Sequence, residues 1–552
     1  MRLSILQYYS VFKKGASLIS LVLLIGLTSC KEETKAYAAP NNFSTTVTDF
    51  FSGNSNKIPE ALLNSENSSL FQPDSVKAFY NNRDNNLAWS NPKFRNAFID
   101  TLKLAEYQGL FYNDYHGREL EKMLSNLNDL NQQELIKLDY LLTDAFFKFG
   151  NHLLNGKIDP KNLPKTWDIP KNRRNQVKLL EQAVDKNNLE IALSQLRPTH
   201  PIYQKLIAAS KEYQKLKNEL SGFEEIEKGE LIKPGMQDQR LLKIQIRLKA
   251  LGYLRPIDTL SNYYSETVQE AIKQFQQENG LMVNGIIGNK SIGMLNQGFD
   301  KRAEQILVNL ERWRWFPRDL GSHYILINIA NFQLRVVKGN KTISTHKVIV
   351  GRESRKTPIF SDEIEFLDFN PSWFIPPTIK NKDVIPGARR NPSYLVNKNI
   401  DVYNNIGQKL NPFQIDWSGS AVRSYQYKQE PGPTNPLGEV KISFPNKYIV
   451  YLHDTSSKSL FEGNSRAHSS GCIRVENAVD LAKYLLSDQK EFTSEEIDKI
   501  IDKGTTRRIY MDQKVNVHIF YWTAWRENGK TRFTDDIYNY DEATYEALKK
   551  AF

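Results

Sequence analysis

The sequence predicts an α+β multidomain protein, and three observations carry that prediction. At 552 residues the chain is too long for one hydrophobic core. From about 66 to 296 its apolar residues recur at three- and four-residue intervals, the period of helices. From about 321 the period changes to the alternation of strands. The expected order is a helical scaffold over 66–232, a three-helix module over 238–296 and a β-rich domain over 302–530. An insertion at about 371–437 interrupts the last, and a C-terminal extension covers 531–552.

At the start, Arg2, Lys13 and Lys14 precede an apolar run from Leu18 to Leu27. Such a run is too short to span a bilayer comfortably and fits a signal peptide over 1–29. Leu27-Thr28-Ser29-Cys30 reads as a bacterial lipobox, which by analogy makes Cys30 the lipid-bearing first residue of the mature protein. The expected location is the cell envelope, on the periplasmic side of the outer membrane. Lys31-Glu32-Glu33 also resembles surface-export tags of some lipoproteins. Residues 30–65, rich in Asn, Ser, Thr and Lys, read as a flexible tether. The formal charge of +11 loses three positive charges with the signal peptide, leaving +8. That balance suits an anionic polymer, and an exported chain without a basic aromatic motif points away from nucleic acid.

In the scaffold, Leu138, Leu141, Leu142, Phe146 and Phe149 make one apolar helix face, and Pro160, Pro164 and Pro170 then break the pattern. Asp114, His116 and His152 stand apart in sequence and form no catalytic set. In the module, Ile244, Leu248 and Leu251 share a face, and Gly252 can close that helix in a left-handed conformation. Ser265 is a plausible N-cap for a helix burying Val268, Ile272 and Phe275, which Gly280 stops; a third helix carries Ile292 and Leu295. Leu-Gly-Tyr, then Phe275-Gln276, Gly280-Leu281, Asn284-Gly285 and Gly288, is similar to the peptidoglycan-binding domain 1 module, with Asn284 in place of the usual aspartate.

The β-rich domain opens with Tyr324–Ile329 and Phe332–Val336, separated by the turn-prone Ala330-Asn331. Residues 439–453 read as a strand that brings His453 to its end. The last strand carries Val515, Val517, Ile519 and Tyr521 on one face and His518 on the exposed other. The insertion is proline-rich, with Trp373, Phe374 and Trp417 available to pack, and its length suits a lid or binding loop.

Past Cys30 the chain has one cysteine, in His468-Ser469-Ser470-Gly471-Cys472-Ile473-Arg474, with His453 upstream in Tyr451-Leu452-His453-Asp454. A lone thiol in an exported protein forms no internal disulfide and is open to oxidation, which favours nucleophilic catalysis over packing. A thiolate needs a base or cation beside it, and its tetrahedral intermediate needs backbone N–H donors. These residues resemble the L,D-transpeptidases with a YkuD-type catalytic domain, in particular a large periplasmic subgroup with a helical scaffold. The commonest family pattern is Ser-His-Gly-Cys; here Ser470 takes the histidine's place and His468 lies two residues earlier, a variant like that of the large subgroup. The resemblance also makes Gly351 through Thr357-Pro358 a substrate-proximal loop and the insertion a capping subdomain over the groove.

The resemblance implies acyl transfer on a peptidoglycan tetrapeptide stem. Cys472 is the nucleophile, and His453 either takes the thiol proton or holds the thiolate in an ion pair. A thioester forms with release of D-alanine, and the amine of an acceptor stem then closes a 3→3 cross-link in cell wall biogenesis. Carbapenem acylation of Cys472 is expected as well. Gly471, Ser470, Ser469, Tyr451, Arg474 and His468 are expected to line the substrate or oxyanion site, with Arg474 suited to a substrate carboxylate. Asp454, adjacent to His453 on a strand, points to the other face. No cofactor or metal is expected; a metal-hydrolase set of His453, Asp454 and His468 lacks His-Glu-x-x-His spacing. Water in place of the amine would make the enzyme an L,D-carboxypeptidase or endopeptidase, and a non-catalytic wall-anchoring lipoprotein is the rival from another class. Activating envelope proteins are not legible in the sequence.

Overall fold

The computed structural model describes Ile58 and residues 70–163, 167–219, 224–339 and 341–550. The signal peptide over 1–29, Cys30, Pro164 and, Ile58 apart, the tether over 30–65 lie outside these residues. The chain is α+β and divides into two compact units. The first holds the described parts of Met1–Pro92, His116–Asp144 and Gly222–Gly298; the second holds those of Lys93–Tyr115, Ala145–Ser221 and Phe299–Phe552.

In the first unit, buried Asp139 accepts from the Ala88 and Trp89 backbones and from the Tyr80 hydroxyl, at 2.9, 2.8 and 2.6 Å. Asp144 likewise accepts from the Phe71 and Gln72 backbones and meets His116 Nε2 at 2.6 Å, so His116 serves packing. The Gln132–Asn155 helix buries Leu138, Leu141 and Leu142 in this unit and Phe146 and Phe149 in the second, as its periodicity predicts. The module has helices Arg240–Ala250, Glu266–Glu278 and Asn289–Asn296. Gly252 and Gly280 adopt φ of 79° and 67° after the first two, and Ser265 caps the second by accepting from Val268 N at 3.4 Å. Asn284 does what an aspartate would do in that turn: its Oδ1 accepts from Ile286 N at 2.9 Å.

The second unit is built on a strand ring. Its strands are β1 (His323–Asn328), β2 (Gln333–Lys338), β3 (Lys341–Gly351), β4 (Ile359–Phe369), β5 (Val440–Ser443), β6 (Leu452–His453), β7 (Ala467–Ser469), β8 (Ile473–Val475) and β9 (Arg507–Phe520). The order is β4-β5-β6-β8-β3-β2-β1-β9, and β9 returns to pair with β4, closing the ring; β7 pairs with β3. Closure removes the unpaired edges that would otherwise invite aggregation. Trp167–Asp168 adds a short parallel strand beside Ile359 and Phe360.

Two strand expectations change. Residues 439–453 are two strands, β5 and β6, around a turn: Pro445 offers no N–H to a ladder, and Asn446 gathers the turn by accepting from Tyr448 N and Val450 N at 3.0 and 3.2 Å. His518 is buried rather than exposed, because both faces of β9 are covered over 517–520. Its Nδ1 meets Ser361 Oγ at 2.8 Å and its Nε2 meets the Leu320 carbonyl at 2.9 Å. The insertion folds as a subdomain with its own core, including Val384, Ile385, Leu395, Val402, Val422 and Tyr427. Strands Trp373–Phe374, Gln426–Gln429, Ile400–Tyr403 and Lys409–Leu410 make its sheet. The segment from 531 is built into the same unit: Lys530–Phe533 pairs with Ala524–Glu527, and buried Tyr538 reaches the β3 end.

Candidate active site

The turn between β7 and β8 carries Cys472, and both strands lean on β3: Ala467 opposes Val350, and Arg474 opposes Ile349. Gly471 takes φ of 121°, which a side chain rarely adopts, so the turn needs glycine there. Ser469 is buried and points into the turn, donating to the Cys472 carbonyl at 2.6 Å and accepting from Gly471 N at 3.0 Å. That spends its hydroxyl on shaping the turn, so Ser469 is a support and not the lining residue expected. Gly471 N is likewise committed, while the Cys472 N–H makes no hydrogen bond among the described residues. Thr357 Oγ1 donates to the Gly471 carbonyl at 2.8 Å and accepts from Gly351 N at 2.8 Å, tying the 351–358 loop to the turn. Tyr538 OH donates to the Gly351 carbonyl at 2.6 Å and accepts from Thr357 N at 3.1 Å.

The neighbouring wall follows from register. β6 runs parallel to β8, with Leu452 opposite Ile473 and His453 opposite Arg474. Side chains two apart share a face, so Tyr451, His453, Cys472 and Arg474 point the same way. The half-buried Cys472 thiol lies 3.7 Å from the Ile449 carbonyl. Ile449 is held at φ of 56° by the Asn446 turn, a costly conformation for a β-branched residue. Burial pushes the Cys472 thiol up; the Tyr451 backbone and hydroxyl, then Lys441 and Arg474, pull it back. Burial also raises the Tyr451 phenol, as does a charge on Cys472, while the Trp373 indole of the cap opposes this.

His453 is buried, and its Nδ1 lies 2.5 Å from the Asp454 carbonyl. Burial and then Arg474 lower it to about 3, so the ring is neutral at neutral pH. The Asp454 carboxylate turns away and accepts from Glu439 N at 3.1 Å; the backbone carbonyl, not the carboxylate, orients the histidine. No hydrogen bond joins His453 to Cys472 among the described residues. Arg474 Nε is buried without a partner, and burial lowers its guanidinium. Ser470 Oγ accepts from Arg355 Nη1 at 2.9 Å, and the same nitrogen reaches Asp383 of the cap at 2.9 Å. His468 is exposed, with Nε2 at 2.8 Å from the Ser465 carbonyl, away from the thiol.

The structure therefore brings together Cys472, Tyr451, His453, Arg474, Gly471 and Ser470, and leaves His468 outside. Sequence reading missed Lys441, Ile449 and Tyr538, took Trp373 only as a packing aromatic, and reached Arg355 only as part of the 351–358 loop. Thr357 was included only as part of a loop. Lys441 alone left a signal, a charge between the buried Val440 and Ile442 of a strand.

The family comparisons assign three parts of the chain. Residues 322–516 match the L,D-transpeptidase catalytic domain, 74–209 the scaffold domain, and 237–295 the "Putative peptidoglycan binding domain". The chain thus carries an L,D-transpeptidase catalytic domain with both partner domains. It is 32% identical over 256 residues to a Haemophilus influenzae protein named "Putative L,D-transpeptidase", covering 45% of this chain and 51% of that protein. It is also 38% identical over 71 residues to a "Probable CtpA-like serine protease" of Staphylococcus epidermidis, covering 13% of this chain and 14% of that one. At 51% and 14%, the chain spans about half or less of these relatives. An L,D-transpeptidase structure from Stackebrandtia nassauensis shares 12% identity, 54% of this chain and 100% of its own, at a TM-score of 0.20, too low to bear on the fold.

Proposed function

We propose that this protein is a peptidoglycan L,D-transpeptidase that forms 3→3 cross-links between stem peptides through a thioester on Cys472. The observation that carries the reading is the unbonded Cys472 N–H beside a half-buried thiol, with the buried, unpartnered Arg474 Nε on the same face. Cys472 Sγ attacks the carbonyl of the third stem residue, and the terminal D-alanine leaves as the amine. The oxyanion meets the Cys472 N–H and the Tyr451 hydroxyl. His453 is neutral at rest, so it has room for the thiol proton but supplies no resting imidazolium for an ion pair. Arg474 offers its fork to a stem carboxylate. Ser470 and Gly471 shape the groove floor, and Arg355 couples it to the cap. An acceptor amine then attacks the thioester and regenerates the thiol.

The module would hold the enzyme on the wall. Its helices border a groove of about 670 Å³ lined by Tyr253, Arg255, Asp258, Glu270 and Lys273 among others, polar groups suited to a glycan or peptide. Cys30 would carry the lipid anchor and place the enzyme on the periplasmic side of the outer membrane, with carbapenems acylating Cys472.

The test is mass spectrometry of mature protein and its Cys472→Ala variant after incubation with disaccharide-tetrapeptides. Dimers with a 3→3 link, made only by the cysteine form, are expected. Tripeptide monomers alone would reassign the enzyme as a carboxypeptidase. With no cysteine-dependent product and no carbapenem adduct, the wall-anchoring reading would replace this one.

A further inference from the structure

The proposed chemistry needs a charged sulfur, yet the neutral histidine supplies no cation to stabilise one. We propose that Lys441 is the positioning residue that does so, its ammonium holding Cys472 as the thiolate across the Tyr451 ring. This rests on Cys472 being the nucleophile, but its test reads thiol chemistry and not turnover.

Three geometric facts converge on Lys441. In the β5–β6 pairing Lys441 stands directly opposite His453, so its side chain rises from the same face as Tyr451, Cys472 and Arg474. Its Nζ lies 4.8 Å from the centre of the Tyr451 ring and 6.0 Å from that of Phe366, between two π faces that favour a cation. Its carboxylate neighbour, Asp368, is already engaged by Arg508 Nε and Nη2 at 2.7 and 3.1 Å, while Lys441 stands at 3.7 Å. One carboxylate between two cations leaves a positive charge uncancelled beside the thiol.

On β4 and β9 the pair is Asp368 with Arg508; on β6 the groups are Tyr451 and neutral His453; on β8 it is Arg474, with Arg352 acting on it from the β3 end. Of the two cations acting on the thiol, Lys441 has more effect than Arg474. Lys441 is itself held below the usual lysine range, first by burial, and Asp368 opposes that shift. A desolvated charge acts strongly at short range because little water screens it.

The experiment is the pH dependence of Cys472 alkylation by iodoacetamide in the full chain. The peptide carrying Cys472 is followed by mass spectrometry, separate from Cys30. Lys441→Met is expected to raise the midpoint by at least about one pH unit, slowing alkylation at pH 7 about tenfold, and Lys441→Arg to restore it to within about threefold. Asp368→Asn, which frees more of the ammonium charge, should move the midpoint down. Lys441→Gln substitutes if the methionine variant does not fold, and exposed Lys447→Met is the control. An unmoved midpoint in a folded Lys441 variant overturns the proposal. So does a rise in KM for tetrapeptide stems with an unchanged alkylation profile, which would make Lys441 a substrate-binding group.

Discussion

Two clusters of buried charge sit in the strand-ring unit, and they are finished differently. At Glu311, Oε1 accepts from Ile158 N at 2.7 Å and Trp315 Nε1 at 3.2 Å, while Oε2 takes the Arg314 fork through Nε and Nη2. The remaining Arg314 nitrogen reaches the Gln108 carbonyl at 2.9 Å and the Tyr203 hydroxyl at 3.2 Å. At Cys472, Arg474 Nε is buried and unpartnered, and Lys441 shares an acid already taken. A buried charge left without a partner costs several kcal/mol. The first cluster is complete in the protein alone and acts as a strut; the second leaves the Arg474 Nε without a partner among the described residues.

The comparison can be broken most sharply at the nucleophile. Cys472→Ala should abolish cross-linking, a loss on the order of 10³ or more, with a denaturation midpoint close to that of the parent. Next, Glu311→Gln strands the buried Arg314 charge and should cost about 3–5 kcal/mol in urea denaturation. Arg474→Met removes a desolvated charge with no partner at its Nε, so it should hold or raise stability while depressing activity; an equal loss at both sites would erase the distinction.

The pH dependence comes next in size. Burial lowers His453 and His152 to about 3 and His200 to about 4, so all three stay neutral in the fold. The unfolded chain binds these protons below about pH 6.5 and the native chain does not, so stability is full above that pH and falls as pH drops toward 3–4. At pH 5 each should contribute a loss of about 2 kcal/mol, read as a falling melting temperature between pH 7 and 5. The smallest effect sharpens the picture at Ile449: Asn tolerates its φ, so Ile449→Asn should gain about 1 kcal/mol in the same denaturation assay.

What sequence alone made legible was local. The Ser265 cap, the left-handed Gly252 and Gly280 and the Leu138–Phe149 face each depend on residues within a turn or two of one another. So does the motif around Cys472, on which the expectation of a nucleophile rests. Lys441 and Tyr538 meet the site only through strand register and chain return, which no local pattern encodes. His518 shows the same limit from the other side: alternation placed it correctly on a strand face, but only the tertiary packing says that this face is covered. The Ser469 hydroxyl was legible as part of the motif but not in its direction, since the strained glycine turn decides where it points.

Tyr538 has a consequence in time. Its hydroxyl braces the Gly351–Thr357 loop, and through Thr357 it steadies the turn that holds the nucleophile. A ribosome completes Cys472 and both strands beside it well before it reaches that tyrosine. Until then Gly351 and Thr357 lack that brace, so the loop beside Cys472 takes its described form only after Tyr538 has been made and packed.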